Sequence, residues 1–307
     1  MTLCLVTGGA GFIGSHVVEA LLHRGDEVRV LDNFSSGYRS NLAHILGHID
    51  LVEGDIRDIA TVREAMKGVE LIFHLAAIVS VTASMNGPLP TEAVNATGTL
   101  NLLVAAQESG ARRLVLSSSC AVYGDEPRLP AAESQCPVPK SPYAVAKLAA
   151  EGYCRVFNES FGVETVALRY FNVYGPRQDP TSPYSGVISI FVDKMSHGEQ
   201  PTIFGRGEQT RDFVYVGDVV QANLLAGDVP EAAGRTLNIG RGERISINQL
   251  FQELNNLLQT DLEPIRAPAR LGDVQHSCAD PSLARRVLGW QASVPFKEGL
   301  RWLLAAA

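Results

Sequence analysis

No C-x-x-C pair occurs in this chain, and its five cysteines (Cys4, Cys120, Cys136, Cys154 and Cys278) are odd in number and scattered. Such spacing supports neither a disulfide framework nor a zinc site, so a reducing cytoplasm is the expected compartment and no metal is expected. No stretch reaches the roughly 18 apolar residues that a membrane helix requires. The opening run Met1-Thr2-Leu3-Cys4-Leu5-Val6 is too short for a secretory signal and meets glycines at once. Nor is there a cluster of Lys and Arg able to track a phosphate backbone: the formal net charge is −7, and nucleic acid is not an expected partner. Repeats and low-complexity tracts are missing as well. What remains is globular in character, with 46% hydrophobic and 19% charged residues among 307, enough for one large domain or two smaller ones sharing a cleft.

Leu3 to Thr7 is a short apolar run that ends in Gly8-Gly9-Ala10-Gly11-Phe12-Ile13-Gly14, and from Ser15 to Arg24 apolar residues recur at helical spacing. The segment reads as strand, tight turn and helix. Glu27 to Leu31 reads as a second strand closing on Asp32, 18 residues beyond Gly14. Gly8, Gly11 and Gly14 thus stand where a dinucleotide fold needs a tight turn, close backbone approach to pyrophosphate, and close packing of helix on strand. A pyrophosphate would rest on the helix N-terminus. At the end of the second strand, Asp32 can accept from both ribose hydroxyls and repels a 2′-phosphate, so NAD is expected rather than NADP.

The alternation continues with strands at Leu51–Asp55, Leu71–Ala77, Leu114–Ser119 and Glu164–Arg169 and helices at Arg57–Met66 and Asn95–Ala106. The expected class is α/β, a Rossmann-type doubly wound parallel sheet. Asp55 and Ile56 are placed to meet an adenine edge, and the strand end Leu75, Ala76, Ala77 leaves room for a cofactor. Asn95 is polar on an apolar stretch and reads as a tie between loops. After about residue 175, Pro and Gly become frequent and the elements shorten. A dinucleotide-binding domain is expected over 1–172, joined by part of 213–235, with a smaller α/β substrate-binding region over 173–307.

Ser119 falls at the carboxyl end of the fifth strand, the rim where open α/β sheets hold ligands. If residues 143 to 147 are helical, Tyr143 and Lys147 lie one turn apart on one face. A free phenol titrates near pH ~10 and is a poor base at neutral pH. A nearby ammonium favours the phenolate, so Tyr143 is expected to have a lowered pKa and to act as general base and then general acid, with Ser119 orienting the same substrate oxygen.

Taken together, Gly8-x-x-Gly11-x-x-Gly14, Asp32, Ser119 and Tyr143-x-x-x-Lys147 resemble the extended short-chain dehydrogenase/reductase superfamily over essentially the whole chain, and within it the UDP-glucose and UDP-N-acetylhexosamine 4-epimerases. The resemblance implies tightly held NAD, a UDP-sugar substrate, an isomerase acting through a transient 4-keto sugar, and a homodimer. It places Phe12, Ile13, Asn33, Ser35, Ser36, Gly37, Asn95, Ser117 and Tyr170, with Tyr143 and Lys147, against the cofactor. It assigns Asn172 to the nucleotide-sugar diphosphate, Arg211 and Arg270 to the two phosphates, Asp273 to the uridine ribose and Ser119 to the sugar. The related 4,6-dehydratases carry Thr-Asp-Glu where this chain has Ser119-Cys120-Ala121, so the elimination acids are absent. Cys120 reads as a small core residue. Ser277 stands where the glucose-type epimerases narrow the pocket with a Tyr, and Arg177–Pro180 and Pro183–Val187 are reminiscent of the N-acetylhexosamine group. UDP-GlcNAc therefore remains open beside UDP-glucose, as do UDP-glucuronate 4-epimerisation, net reduction of a 4-keto sugar, and a non-catalytic NAD(P) sensor.

Overall fold

The structure is a computed structural model that describes residues 1–125, 128–180, 186–269 and 274–306. Its first part runs β1 (Leu3–Thr7), α1 (Phe12–Arg24), β2 (Glu27–Asp32), β3 (Asp50–Glu53), α2 (Ile59–Ala65), β4 (Leu71–His74), α3 (Val81–Asn86), α4 (Pro88–Glu92), α5 (Gly98–Ser109), β5 (Arg113–Ser119), α6 (Pro142–Ser160) and β6 (Glu164–Tyr170). The rest comprises β7 (Asn172–Tyr174), α7 (Val187–Ser196), β8 (Thr202–Phe204), β9 (Thr210–Arg211), β10 (Phe213–Tyr215), α8 (Val216–Asp228), β11 (Arg235–Ile239), β12 (Ile245–Ser246), α9 (Ile247–Leu258), β13 (Ile265–Ala267), α10 (Ser282–Leu288) and α11 (Phe296–Ala306).

Seven strands form one sheet in the order β11-β6-β5-β4-β1-β2-β3, and each neighbouring pair is parallel. Strands such as β4, and β5 over Leu114–Leu116, are buried on both faces and largely apolar, as a parallel sheet covered by helices requires. On one side Val17, Val18 and Leu21 of α1 pack with Val219, Ala222 and Ala226 of α8. On the other, Val62 of α2, Leu102 and Ala106 of α5, and Ala150 and Phe157 of α6 close the second layer. Strand order reverses beside β1, whose neighbours β2 and β4 lead their connections to opposite sides, so the crevice for a ligand opens at the carboxyl ends of β1 and β4.

Helix α1 begins directly after the glycine turn and stops at Gly25, whose φ of +88° takes the left-handed cap that a glycine supplies without strain. The α8 segment returns to the sheet, as its apolar run suggests, and packs on α1. Beyond it the sheet gains a seventh strand, β11, that the sequence pattern does not announce.

The smaller region has its own apolar core of Tyr174, Phe191, Phe213, Leu250, Phe251, Leu254 and Leu300, with Phe213 stacked on Phe296 at 5.5 Å. Its strands pair two by two, β7 with β10, β9 with β12 and β8 with β13. Among the described residues no helix is long and apolar enough to cross a membrane, and no group of His, Cys, Asp or Glu is arranged to hold a metal.

Candidate active site

The glycine turn has the tightness that a dinucleotide groove demands. Gly8 sits at φ +69°, where a side chain's Cβ would stand 2.6 Å from the Ala76 nitrogen, and a Cβ on Gly14 would stand 2.1 Å from the Gly8 carbonyl oxygen. The turn can therefore lie against the end of β4 only because Gly8 lacks a side chain, and the start of α1 can lie against the turn only because Gly14 does. Gly11 is the residue preceding α1, and Phe12 and Ile13 open its first turn. Asp32 is buried at the β2 end, where Oδ2 accepts from Ala10 N at 2.9 Å and Oδ1 from Phe34 N at 2.8 Å. Two N–H groups orient the carboxylate and leave its remaining lone pairs for a diol.

The loop carrying Asn33, Ser35, Ser36 and Gly37 folds back over the glycine turn, with Tyr38 N donating to Ala10 O at 3.0 Å. A Cβ on Gly37 would meet the Ala10 carbonyl carbon at 2.8 Å. Asn33 Nδ2 donates to Asp55 Oδ2 at 2.8 Å, and Arg57 forks onto the same carboxylate at 3.0 and 2.7 Å. That guanidinium holds the Asp55 carboxyl well below the usual range. Ile56 is buried under α5 at Gly98.

Leu75, Ala76 and Ala77 leave β4 beside the glycine turn. Asn95 does what a tie between loops does: its Oδ1 accepts from Ile78 N and its Nδ2 donates to Ile78 O, both at 2.8 Å. It lies in a π-helical stretch, Ala93–Thr97, that leads into α5. Beneath it, buried His74 bridges Thr7 Oγ1 and Thr99 Oγ1 at 2.8 Å each. Burial pushes this imidazole down to about 3, so it holds the strand ends as a neutral group.

Tyr143 and Lys147 are in α6, one turn apart and buried to 7% and 3% exposure. Ser141, two residues before the phenol, caps the helix by accepting from Ala144 N at 3.2 Å. Lys147 Nζ donates to Ser117 O at 2.6 Å, which fixes the ammonium under the end of β5. Ser119 ends that strand, and its hydroxyl accepts from Ala121 N at 3.2 Å. Burial pushes the Tyr143 phenol up to about 12, with the Ser119 hydroxyl pulling it back and Cys120 adding to the rise. The expected lowering of this pKa is thus not a property of the protein residues alone: burial outweighs whatever the neighbouring ammonium supplies. Lys147 is itself pushed down to about 8 by burial, with Glu151 and Cys154 acting in the opposite direction. Cys120, which burial raises to about 12, offers no thiolate at neutral pH. Tyr170, at the end of β6, donates from its hydroxyl to Asn223 Oδ1 on α8 at 2.8 Å and lies beside Ser117.

Asn172 begins β7 immediately after the sheet, and Ser277 Oγ donates to its Oδ1 at 3.4 Å. The position that sequence marked as discriminating among sugars therefore touches the residue assigned to the diphosphate. Arg211 ends β9 with Nη1 donating to Thr210 O at 2.9 Å. Arg270, Asp273 and most of Pro183–Val187 lie outside the described residues.

Sequence reasoning misses three buried groups. One is His74. Another is Asp212, wholly buried between β9 and β10, whose carboxylate accepts three backbone N–H groups from Arg241, Gly242 and Ala279. The third is the pair Glu151 and Arg169, joined at 2.9 and 2.7 Å near the carboxyl ends of β5 and β6. The only signal for Glu151 is its spacing, since Tyr143, Lys147 and Glu151 recur every four residues on α6.

Several known proteins are similar to this chain in sequence and in fold. The UDP-glucose 4-epimerase of Mycolicibacterium smegmatis is 41% identical over 301 residues, 96% of this chain and 95% of that protein. The crystal structure of Thermotoga maritima UDP-glucose 4-epimerase with UDP-glucose superposes with a TM-score of 0.95 at 40% identity, covering 99% of this chain and 98% of that one. The UDP-N-acetylglucosamine 4-epimerase of Methanobrevibacter ruminantium M1, in complex with UDP-N-acetylmuramic acid, does so at 0.95 and 38% identity, covering 99% and 97%. The model of the NAD dependent epimerase/dehydratase family matches residues 4–240. With that span taking in the glycine turn, Asp32, Ser119, Tyr143 and Lys147, the chain belongs to the NAD dependent epimerase/dehydratase family.

Proposed function

We propose that this protein is an NAD-dependent 4-epimerase that interconverts UDP-glucose and UDP-galactose. The observation that carries the reading is the junction of Tyr143, Lys147 and Ser119 at the rim of a parallel sheet whose glycine turn and Asp32 form a dinucleotide groove. Tyr143 Oη takes the proton of the sugar 4-hydroxyl as hydrogen leaves C4 with its electron pair, and Ser119 steadies the same oxygen. The resulting 4-keto sugar turns over in the site, is reduced on its other face and regains the proton from Tyr143. NAD bound in the groove supplies the hydride acceptor and donor, so the reaction has no net redox change. Lys147, protonated below about pH 8, opposes the charge that forms on the phenol. Asn172 and Arg211 hold the diphosphate, with Arg270, and Asp273 takes the uridine ribose.

A second substrate, UDP-GlcNAc, has its own support: Ser277 is small and adjoins Asn172, leaving space for an N-acetyl group. The test is to offer UDP-glucose, UDP-GlcNAc and UDP-glucuronate side by side to protein assayed for bound nicotinamide. UDP-galactose should form from UDP-glucose without added cofactor, and the purified protein should carry NAD. Product formation only with stoichiometric NAD(P)H consumption would instead show a 4-keto reductase, and no conversion of any sugar would leave a nucleotide sensor.

The working unit in this reading is a cytoplasmic homodimer. Five free cysteines suit a reducing compartment. Val81, Met85 and Leu89 on α3 and α4, and Val145, Tyr153 and Val156 on α6, are large apolar side chains left exposed, and α3 and α4 pack against α6. A twofold copy would cover this face. Light scattering at micromolar concentration should return twice the chain mass, and a monomer mass would reject the dimer.

A further inference from the structure

Helix α6 presents a third buried polar side chain in line with its two catalytic ones. Glu151 is one turn beyond Lys147 as Lys147 is one turn beyond Tyr143, and it is 8% exposed. Its carboxylate is saturated by donors from the sheet: Ser118 Oγ donates to Oε1 at 2.5 Å, Arg169 Nε to Oε1 at 2.9 Å and Arg169 Nη2 to Oε2 at 2.7 Å. Ser118 and Arg169 are register partners across β5 and β6, so one carboxylate clamps both strands one residue before Ser119 and Tyr170. Arg169 in turn lies over the Tyr123 ring at 4.8 Å, and Tyr123 Oη donates to Asn238 Oδ1 at 2.7 Å.

A fully desolvated ion pair is a poor means of joining a helix to a sheet, because apolar side chains of the same size often do it as well. Its charge has a more specific use. The Lys147 ammonium is buried with a backbone carbonyl as its hydrogen-bond partner, and a buried ammonium holds its proton more firmly where a negative charge answers it. The groups that face it are Tyr143, Glu151 and Cys154 from its own helix and His74 from β4. His74 is hydrogen-bonded between two threonines and uncharged, while the thiol of Cys154 and the phenol of Tyr143 are both pushed up by burial and neutral. Arg169 stands behind Glu151 on β6 and is cationic, but the carboxylate lies between it and the helix in the chain of contacts. Glu151 is therefore the negative charge available to Lys147 from the described residues around it.

We propose that Glu151, oriented by Arg169 and Ser118, is a positioning residue that keeps Lys147 protonated and holds the end of β5 under the substrate. The proposal rests on the assignment of Lys147 and Tyr143 to the reaction, and its test is chosen to stand apart from that assignment. The Nζ signal of Lys147 in 15N-lysine-labelled protein, identified by its loss in Lys147→Met, reports the protonation midpoint without any turnover. In Glu151→Gln, which keeps an acceptor for Ser118 and the size of the side chain, that midpoint should fall by about one pH unit or more. The alkaline limb of kcat should move down by the same amount, and Glu151→Asp should restore most of both. A midpoint and limb unchanged in Glu151→Gln, with only a lower melting temperature, would reduce the pair to a structural tie and overturn the proposal. Should Glu151→Gln not fold, Arg169→Lys keeps the charge but loses the fork. There the freed carboxylate should raise the Lys147 midpoint or leave it in place, and a fall would contradict the assignment. If no UDP-sugar is turned over at all, the shifted midpoint still tests Glu151 while the epimerase reading fails.

Discussion

Replacing Tyr143 with Phe is expected to cut turnover roughly 10²–10⁴-fold, the range a positioned acid–base group contributes, while the purified protein keeps its NAD. The substitution removes one oxygen from a ring that is 7% exposed, so packing of α6 is preserved and the loss is assignable to proton transfer. The phenol, pushed up to about 12 by burial, is neutral at pH 7 in the protein alone. In the proposed reaction its activation would come from charge assembled around it, the ring of a bound NAD and the Lys147 ammonium. The pH dependence follows in sign. Lys147, lowered to about 8, carries its charge below that value, so kcat of the wild-type protein should fall as pH rises through about 8. Stopped assays of sugar interconversion across pH 6–10, with nicotinamide content measured in parallel, check both. Near-normal turnover by Tyr143→Phe would remove the phenol from the mechanism.

Substituting Asp212 with Ala should be the most destabilising change near the substrate side. The Asp212 carboxylate accepts from Arg241 N at 2.8 Å on Oδ1, and from Gly242 N and Ala279 N at 2.9 Å each on Oδ2, while its own carbonyl receives Asn172 N at 3.0 Å. The side chain thus ties the turn after β11 to the segment following Ser277, and the backbone of the same residue holds β7. With the carboxylate gone, three backbone N–H groups lose their partner, that of Ala279 buried and those of Arg241 and Gly242 partly so, and a buried unsatisfied group costs about 1–3 kcal/mol. A loss of about 3 kcal/mol or more is expected, a large part of the roughly 5–15 kcal/mol that keeps a domain folded. Asp212→Asn, which retains one acceptor oxygen, should fall between. Urea midpoints at saturating NAD measure the effect, and a change under about 1 kcal/mol in Asp212→Ala would mean that water or a neighbour takes over the three donors.

The parts of the site that could be read early are those in which chemistry and spacing are local. Gly8, Gly11 and Gly14 are tied to their roles by a turn only a few residues long, and the structure shows why two of them admit no side chain. Tyr143 and Lys147 are bound to one face by helical geometry alone. Asn95 likewise betrays itself as a polar residue on an apolar stretch, and it proves to clasp Ile78. Element ends were less legible. The helix assigned to Asn95–Ala106 is a π-helical turn, within which Asn95 bonds Ile78, followed by α5 to Ser109.

The amino-acid sequence by itself determined the class of fold, and it supplied the candidates for the dinucleotide groove and for the acid–base pair, since the strand–turn–helix alternation and the Tyr143–Lys147 spacing are both local patterns. Tertiary structure alone decided that Glu151 meets Arg169, that Asp212 gathers N–H groups from two later loops, that β11 completes the sheet and that Ser277 adjoins Asn172. These partners are far apart along the chain, and no local periodicity encodes them. It also decided the protonation of the site, because burial, which lifts Tyr143 and lowers Lys147, exists only once the sheet and its helices have closed around both.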